Sequence, residues 1–171
     1  MLVVFGGLPG TGKTTIARAL AQRWSAVYLR AGVIEQSLRS GGTLRDSVGS
    51  AGYGVANALA KSNLALGQRV IADCVNPVEE SRAAWRETAA RAGVCLLEVE
   101  IICSDRAEHR RRVGGRQADI PGLTPPDWAL VSAHHYTPWQ QPRLAIDTAV
   151  VEPDQAITII EREARGRPGG E

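Results

Sequence analysis

The chain of 171 residues is 44% hydrophobic and 22% charged, with a formal net charge of +2, which excludes a disordered or fibrous chain and fits one ordinary globular domain. So balanced a charge argues against a nucleic-acid partner, whose footprint is a basic stripe. Cys74, Cys95 and Cys103 are odd in number and lack CxxC spacing, so they give neither a disulfide framework nor a zinc site.

The opening Met1–Gly7 has no basic flank and reads as a strand rather than a signal peptide. No apolar run approaches the ~20 residues of a membrane span, so a cytoplasmic protein without a membrane partner is expected. Leu2–Phe5 is a continuous apolar run, the mark of a strand covered on both faces. A glycine-rich turn leads to a helix over Lys13–Trp24, where Ile16, Ala17, Leu20, Ala21 and Trp24 recur at helical spacing. Ala26–Leu29 reads as a second strand, 33–39 as a short helix, and Ser40–Gly54 as a Gly/Ser-rich connector. Ala56–Leu66 is predicted helical and closes at Gly67. Arg69–Asp73 is a third strand; Pro77 is expected to open a helix reaching Ala92, with Gly93 as its stop. Val94–Cys103 is a strand interrupted by Glu98 and Glu100. Ser104 or Asp105 caps an Arg-rich helix to about Arg116, and the Pro/Gly-rich loop 120–126 follows. A helix over 127–136, a strand over Arg143–Asp147 and a helix over Asp154–Ala164 complete the chain. Residues 1–165 are thus read as one domain, with 166–171 a flexible tail. Strands alternating with helices imply an α/β fold around a doubly wound parallel sheet, whose ligands sit at the carboxyl ends of the strands.

The segment after the first strand, Gly7, Leu8, Pro9, Gly10, Thr11, Gly12, Lys13 and Thr14, satisfies G-x-x-x-x-G-K-[ST] between a strand and a helix. The glycines let backbone N–H groups face one concavity that takes phosphate oxygens, and the helix dipole adds positive potential there. Lys13 is placed for β- and γ-phosphates, the Thr14 hydroxyl for Mg²⁺ and Thr15 for the α-phosphate. The chain lacks an N-K-x-D guanine motif and is short for a motor ATPase, so a small kinase fits best.

Asp73 ends an apolar strand, as in the Walker-B arrangement. If its strand neighbours the first, it lies beside the phosphate loop to hold Mg²⁺ through water or to orient an acceptor hydroxyl; otherwise it is a turn carboxylate. Arg106, Arg110, Arg111, Arg112 and Arg116 crowd one segment. Arg112 and Arg116, four apart on a helix, are the pair expected to face an anion, while Arg106 and Arg111 fit a solvated face paired with Asp105 and Glu108. Residues 105–127 read as a lid that excludes water. His134 and His135 point to different helix faces and form no metal site. Tyr136, Trp139 and Trp128 are candidates for a substrate pocket or for core.

Together these residues resemble P-loop kinases of small molecules and nucleotides, with the nearest likeness to bacterial ATP-binding kinases related to chloramphenicol phosphotransferase and to the kinase half of polynucleotide kinase. The resemblance is carried by residues 7–15, by Val70–Asp73 with Asn76 and Pro77, and by Arg112-Val-Gly-Gly-Arg116, and spans about residues 2–160. It implies a three-layer P-loop NTPase fold with about five parallel strands and an Arg-rich helical lid. By a further likeness to adenylate kinases, Arg112 would stack near adenine and Arg116 would contact the transferring phosphates; the loop at Ile146-Asp147-Thr148 would border the adenine. Relatives carry Asp where Gly32 stands here, and that Asp is their base for the acceptor hydroxyl, so by this resemblance either Asp73 or Glu35 takes over that role or the chain is a weakened kinase.

The resulting expectation is an ATP- and Mg²⁺-dependent phosphotransferase acting on a hydroxyl of a small molecule. Lys13, Asp73 and Arg116 are its catalytic candidates, residues 7–15 with Arg112 and Arg116 its ATP site, and Thr14 and Asp73 its Mg²⁺ ligands. Glu35, Arg39 and Arg45 are its acceptor-side candidates, although Glu35 also reads as a solvated helix residue. A 5′-hydroxyl polynucleotide or nucleoside kinase is one alternative. An ATP-binding protein whose transfer is weak or lost because of Gly32 is the other.

Overall fold

A computed structural model describes residues 1–41 and 49–167. β1 (Leu2–Gly6) is buried at all five positions because strands flank both its edges and helices cover both faces. It leads through residues 7–12 to α1 (Lys13–Trp24) and then to β2 (Val27–Arg30), α2 (Ala31–Ser40), α3 (Ala51–Ala65), β3 (Val70–Asp73), α4 (Glu79–Ala92), β4 (Leu96–Ile102), α5 (Arg106–Gly114), α6 (Trp128–Ser132), β5 (Leu144–Asp147) and α7 (Pro153–Arg165). The five strands are all parallel in the order β2-β3-β1-β4-β5.

The two-residue period of a strand divides the core. Val3 and Phe5 pack with Ile16 and Leu20 of α1 and Ile157 and Ile160 of α7. Leu2 and Val4 pack on the other face with Ala60 and Leu64 of α3 and Trp85 of α4. Glu98 and Glu100 share that second face without breaking β4. Arg86 pairs with Glu98 at 3.1 Å, and Arg143 with Glu100 at 2.8 Å.

Register places the chemistry. Phe5 and Arg30 both stand opposite Asp73, Gly6 opposite Glu100, and Ile102 opposite Asp147, so the carboxyl ends of the strands form one rim.

Several boundaries depart from the sequence reading. α2 starts at Ala31 because extended Arg30 is itself the N-cap, so β2 runs into the helix without a turn. α3 starts inside the expected connector, at Ala51, with buried Gly52 in its first turn. α4 starts at Glu79, since Asn76 is left-handed at φ 50° and Val78 is the extended N-cap, leaving Pro77 in the turn. α5 stops at Gly114, before Arg116, and Asp105 is its cap, accepting from the N–H groups of Ala107 and Glu108. α6 is a single short stretch ending at Ser132, because the following residues leave the helix to pack on α4. Arg167, expected in the tail, donates to the Leu96 carbonyl at 2.7 Å. Among the described residues no helix is long and apolar enough to cross a membrane.

Candidate active site

The turn after β1 is shaped by left-handed glycines, with φ of 134° at Gly7 and 86° at Gly10. A Cβ on Gly7 would stand 2.2 Å from the Ile101 carbonyl oxygen, so only glycine lets the loop leave the sheet there. The loop folds on itself: the Thr11 hydroxyl and the Lys13 ammonium donate to the Leu8 carbonyl at 2.9 and 3.2 Å. α1 begins after Gly12 with no side-chain cap and no acidic residue in its first turn. Its orphan N–H groups and positive dipole end are therefore left for an anion. Lys13 is only 7% exposed, and burial pushes its ammonium below the usual lysine value, against the opposing attraction of Asp73.

Asp73 is 3% exposed and adjoins the loop because β3 pairs with β1. Its Oδ2 accepts a hydrogen bond from the Tyr28 hydroxyl at 2.6 Å and lies 3.7 Å from Arg30 Nε. Desolvation first, and the Asp73 charge second, push the Tyr28 phenol up.

α5 docks directly on the loop. His109 Nε2 is 2.8 Å from the Pro9 carbonyl oxygen, and a Cβ on Gly10 would stand 2.5 Å from Val113 Cγ2. Arg112 donates to Glu108 at 2.7 Å, and to the Thr148 hydroxyl and carbonyl at 2.9 and 3.1 Å. The Thr148 hydroxyl in turn donates to the Thr11 carbonyl at 2.8 Å. Arg111 and Arg112 hold the Glu108 carboxyl down to about 2. Beyond α5, Asp119 takes two hydrogen bonds from Arg30, at 2.7 and 3.1 Å. Arg18 lies 3.4 Å and Arg116 3.6 Å from the same carboxylate. The Arg30 hydrogen bonds are the main cause of its lowering to about 2.

Two clefts open along the strand ends. The larger, about 500 Å³, is lined by Gly10, Gly12, Lys13, Thr14, Thr15 and by Arg112 and Arg116. The smaller, about 170 Å³, is lined by Pro9, Arg30, Gly32, Glu35, Tyr53 and Asp73, with Ile120, Leu123 and Pro126 on the lid side. Lys13, Thr14 and Arg116 line both. Gly7, Leu8 and Thr11 build the loop without lining either cleft. Arg39 is exposed on α2, one turn past Glu35 and outside both linings; Arg45 lies outside the described residues. Glu35, read as a solvated helix residue, is instead half-buried.

Sequence reasoning missed Arg18, Arg30, Tyr53 and Asp119, which all line the clefts. Arg30 carried a signal, as a charged residue closing an apolar strand; Asp119 carried none, since its partners are joined to it only by the fold. Tyr136 and Trp139 line neither of these clefts. They stack with Arg82, whose guanidinium carbon is 5.2 and 4.3 Å from their rings, while Trp128 meets His109 edge-on. His134 and His135 are exposed, and no cluster of three metal-ligating side chains occurs among the described residues.

The structure resembles a Chloroflexus aurantiacus protein described as a candidate kinase, with a TM-score of 0.75, 20% identity and 96% of each chain covered. It also resembles the Mycobacterium tuberculosis APS kinase solved with AMPPNP and APS, with a TM-score of 0.65, 21% identity, and 93% of this chain and 94% of that one covered. A Sinorhizobium meliloti gluconokinase gives a TM-score of 0.64 and 16% identity over 96% of this chain and 93% of that one. At these identities the likeness is one of fold, a P-loop α/β sheet of five parallel strands. No curated protein matches the sequence. The family described as AAA domain matches residues 2–123, from β1 through the lid loop, and the chain belongs to that family.

Proposed function

We propose that the protein is a phosphotransferase that moves the γ-phosphoryl group of ATP, with Mg²⁺, to a hydroxyl of a small molecule in the cytoplasm. The observation that carries this reading is the pair of clefts sharing Lys13, Thr14 and Arg116 at their border, since group transfer needs donor and acceptor sites that meet at the group transferred. In the larger cleft the triphosphate lies against the loop amides, and Lys13 exchanges one carbonyl for the β- and γ-oxygens. Arg116 covers the γ-phosphoryl and stabilises the charge that develops there. Arg112, anchored to Thr148, forms a wall on the nucleoside side.

The donor set suits Mg²⁺, which takes one or two protein oxygens beside phosphate and water: Thr14, with its hydroxyl, is a residue of both clefts, and Asp73 keeps one oxygen, Oδ1, clear of Tyr28 and Arg30. Thr14 and Asp73 would hold the ion, which would supply positive charge to offset the charge that develops on the phosphates. The small, partly apolar second cleft supports a compact acceptor over a polynucleotide. The gluconokinase among the solved neighbours points the same way. The test is transfer from γ-labelled ATP with Mg²⁺ to a panel of small alcohols, sugars and nucleosides. Labelled product from the native chain and none from Lys13→Ala is expected. ATP binding without transfer to any acceptor would favour the non-catalytic alternative instead.

A further inference from the structure

Glu35 projects into the smaller cleft from α2, one turn after Gly32. Gly32 leaves a stretch of that cleft's wall bare: a Cβ there would meet only Ile120 Cδ1, at 3.4 Å, and no side-chain atom of Glu35 comes within 4 Å of it. The Glu35 stem is held from behind by α3. A Cβ on Gly52 would stand 2.4 Å from Glu35 Cγ and 3.3 Å from both its carboxyl carbon and Oε1, so the two helices approach closely enough that a glycine is needed to admit this side chain where it lines the cleft.

The two carboxylates of the cleft are differently engaged. Asp73 is held by Tyr28 and Arg30 and neighbours the Lys13 charge. Among the described residues Glu35 accepts no hydrogen bond and forms no ion pair. The groups around it are Arg39 on its own helix, Tyr53 of α3, Arg30, Asp73 and Cys74 at the strand ends, and Lys13 and Arg116 at the border of the clefts. Burial raises the Glu35 carboxyl above its ordinary value, with Arg39 opposing, which brings it nearer the range useful to a base at neutral pH.

We propose that Glu35 is the general base of the transfer. Its carboxylate takes the proton of the acceptor hydroxyl as that oxygen bonds to the γ-phosphorus. The bond from the γ-phosphorus to the β–γ bridging oxygen breaks, ADP leaves with that electron pair, and Glu35 gives its proton to solvent. This assignment rests on the phosphotransferase reading above.

The experiment compares the native chain with Glu35→Gln and with the double variant Glu35→Gln/Gly32→Asp, which moves the carboxylate onto the bare wall. γ-Labelled ATP with Mg²⁺ is offered with glycerol, D-glucose, D-gluconate or adenosine, or with water alone, from pH 5 to 9, and ATP binding is measured in parallel. Glu35→Gln is expected to lose about 100-fold or more in kcat together with the acidic limb of the native pH profile, while binding ATP within about threefold of the native chain. The double variant is expected to recover at least about tenfold over Glu35→Gln. A Glu35→Gln chain with native kcat and an unchanged acidic limb overturns the assignment and leaves the phosphotransferase reading standing. A native chain that binds ATP but turns over with none of these acceptors overturns both.

Discussion

At Lys13 the loop stores a cation almost out of water, with the Leu8 carbonyl as its hydrogen-bond acceptor. Burial of the ammonium disfavours its charged form, so a polyphosphate bound there, as proposed, would satisfy a group that the loop leaves under-solvated. The motif made these residues legible, because each glycine and the lysine have a local backbone reason to be where they are. Gly7→Ala would set a Cβ against the Ile101 carbonyl at a positive φ; a loss of roughly 3 kcal/mol or more is expected, read as a lower urea midpoint. Tyr28 was not legible, since its tie to Asp73 exists only because β2 lies beside β3. Tyr28→Phe is expected to cost about 1.5 kcal/mol in urea unfolding, with ATP affinity unchanged.

The Arg-rich helix was legible as an element but not in its anchoring. Arg112 and Arg116 are four apart, yet Gly114 and Gly115 end the helix between them, so the two do not share a helical face. Arg112 is fastened to Glu108 and Thr148, and Arg116 belongs to the loop that Asp119 holds to the body. Asp119 gathers Arg18, Arg30 and Arg116 from α1, β2 and the lid. Its carboxyl titrates lower in the folded chain, at about 2, than the ~3.9 of an exposed aspartate. The clamp therefore stabilises the fold above pH ~4, and that contribution fades as pH falls from about 4 to about 2. Urea midpoints of the native chain and Asp119→Asn are expected to differ at pH 7 and to converge across that acidic window; a constant gap would remove the clamp from the account.

Across the whole molecule, the alternation of apolar strands and amphipathic helices was sufficient to read a parallel α/β sheet, but strand order was not readable. That order brings Asp73, Arg30 and the phosphate loop to one rim. After α6 the expected helix to 136 is absent, while Trp139, read as pocket or core, is buried. The partner of Tyr136 and Trp139 is Arg82, fully buried and donating to the carbonyls of Asn76, Pro77, Thr137 and Pro138 between their rings. This guanidinium ties α4 to the segment that covers Gly6, where a Cβ would stand 2.6 Å from Trp139 Cζ2. Arg82→Met is expected to cost about 3–5 kcal/mol, seen in urea unfolding, because it strips buried carbonyls of their donor. The central claim, a main-chain cradle completed by Lys13 that grips a polyphosphate, is tested most directly by titration calorimetry with ATP and Mg²⁺. Saturable binding by the native chain, weakened about 100-fold or more in Lys13→Ala, is the predicted result. Equal affinity in both chains, or none in the native one, would contradict it.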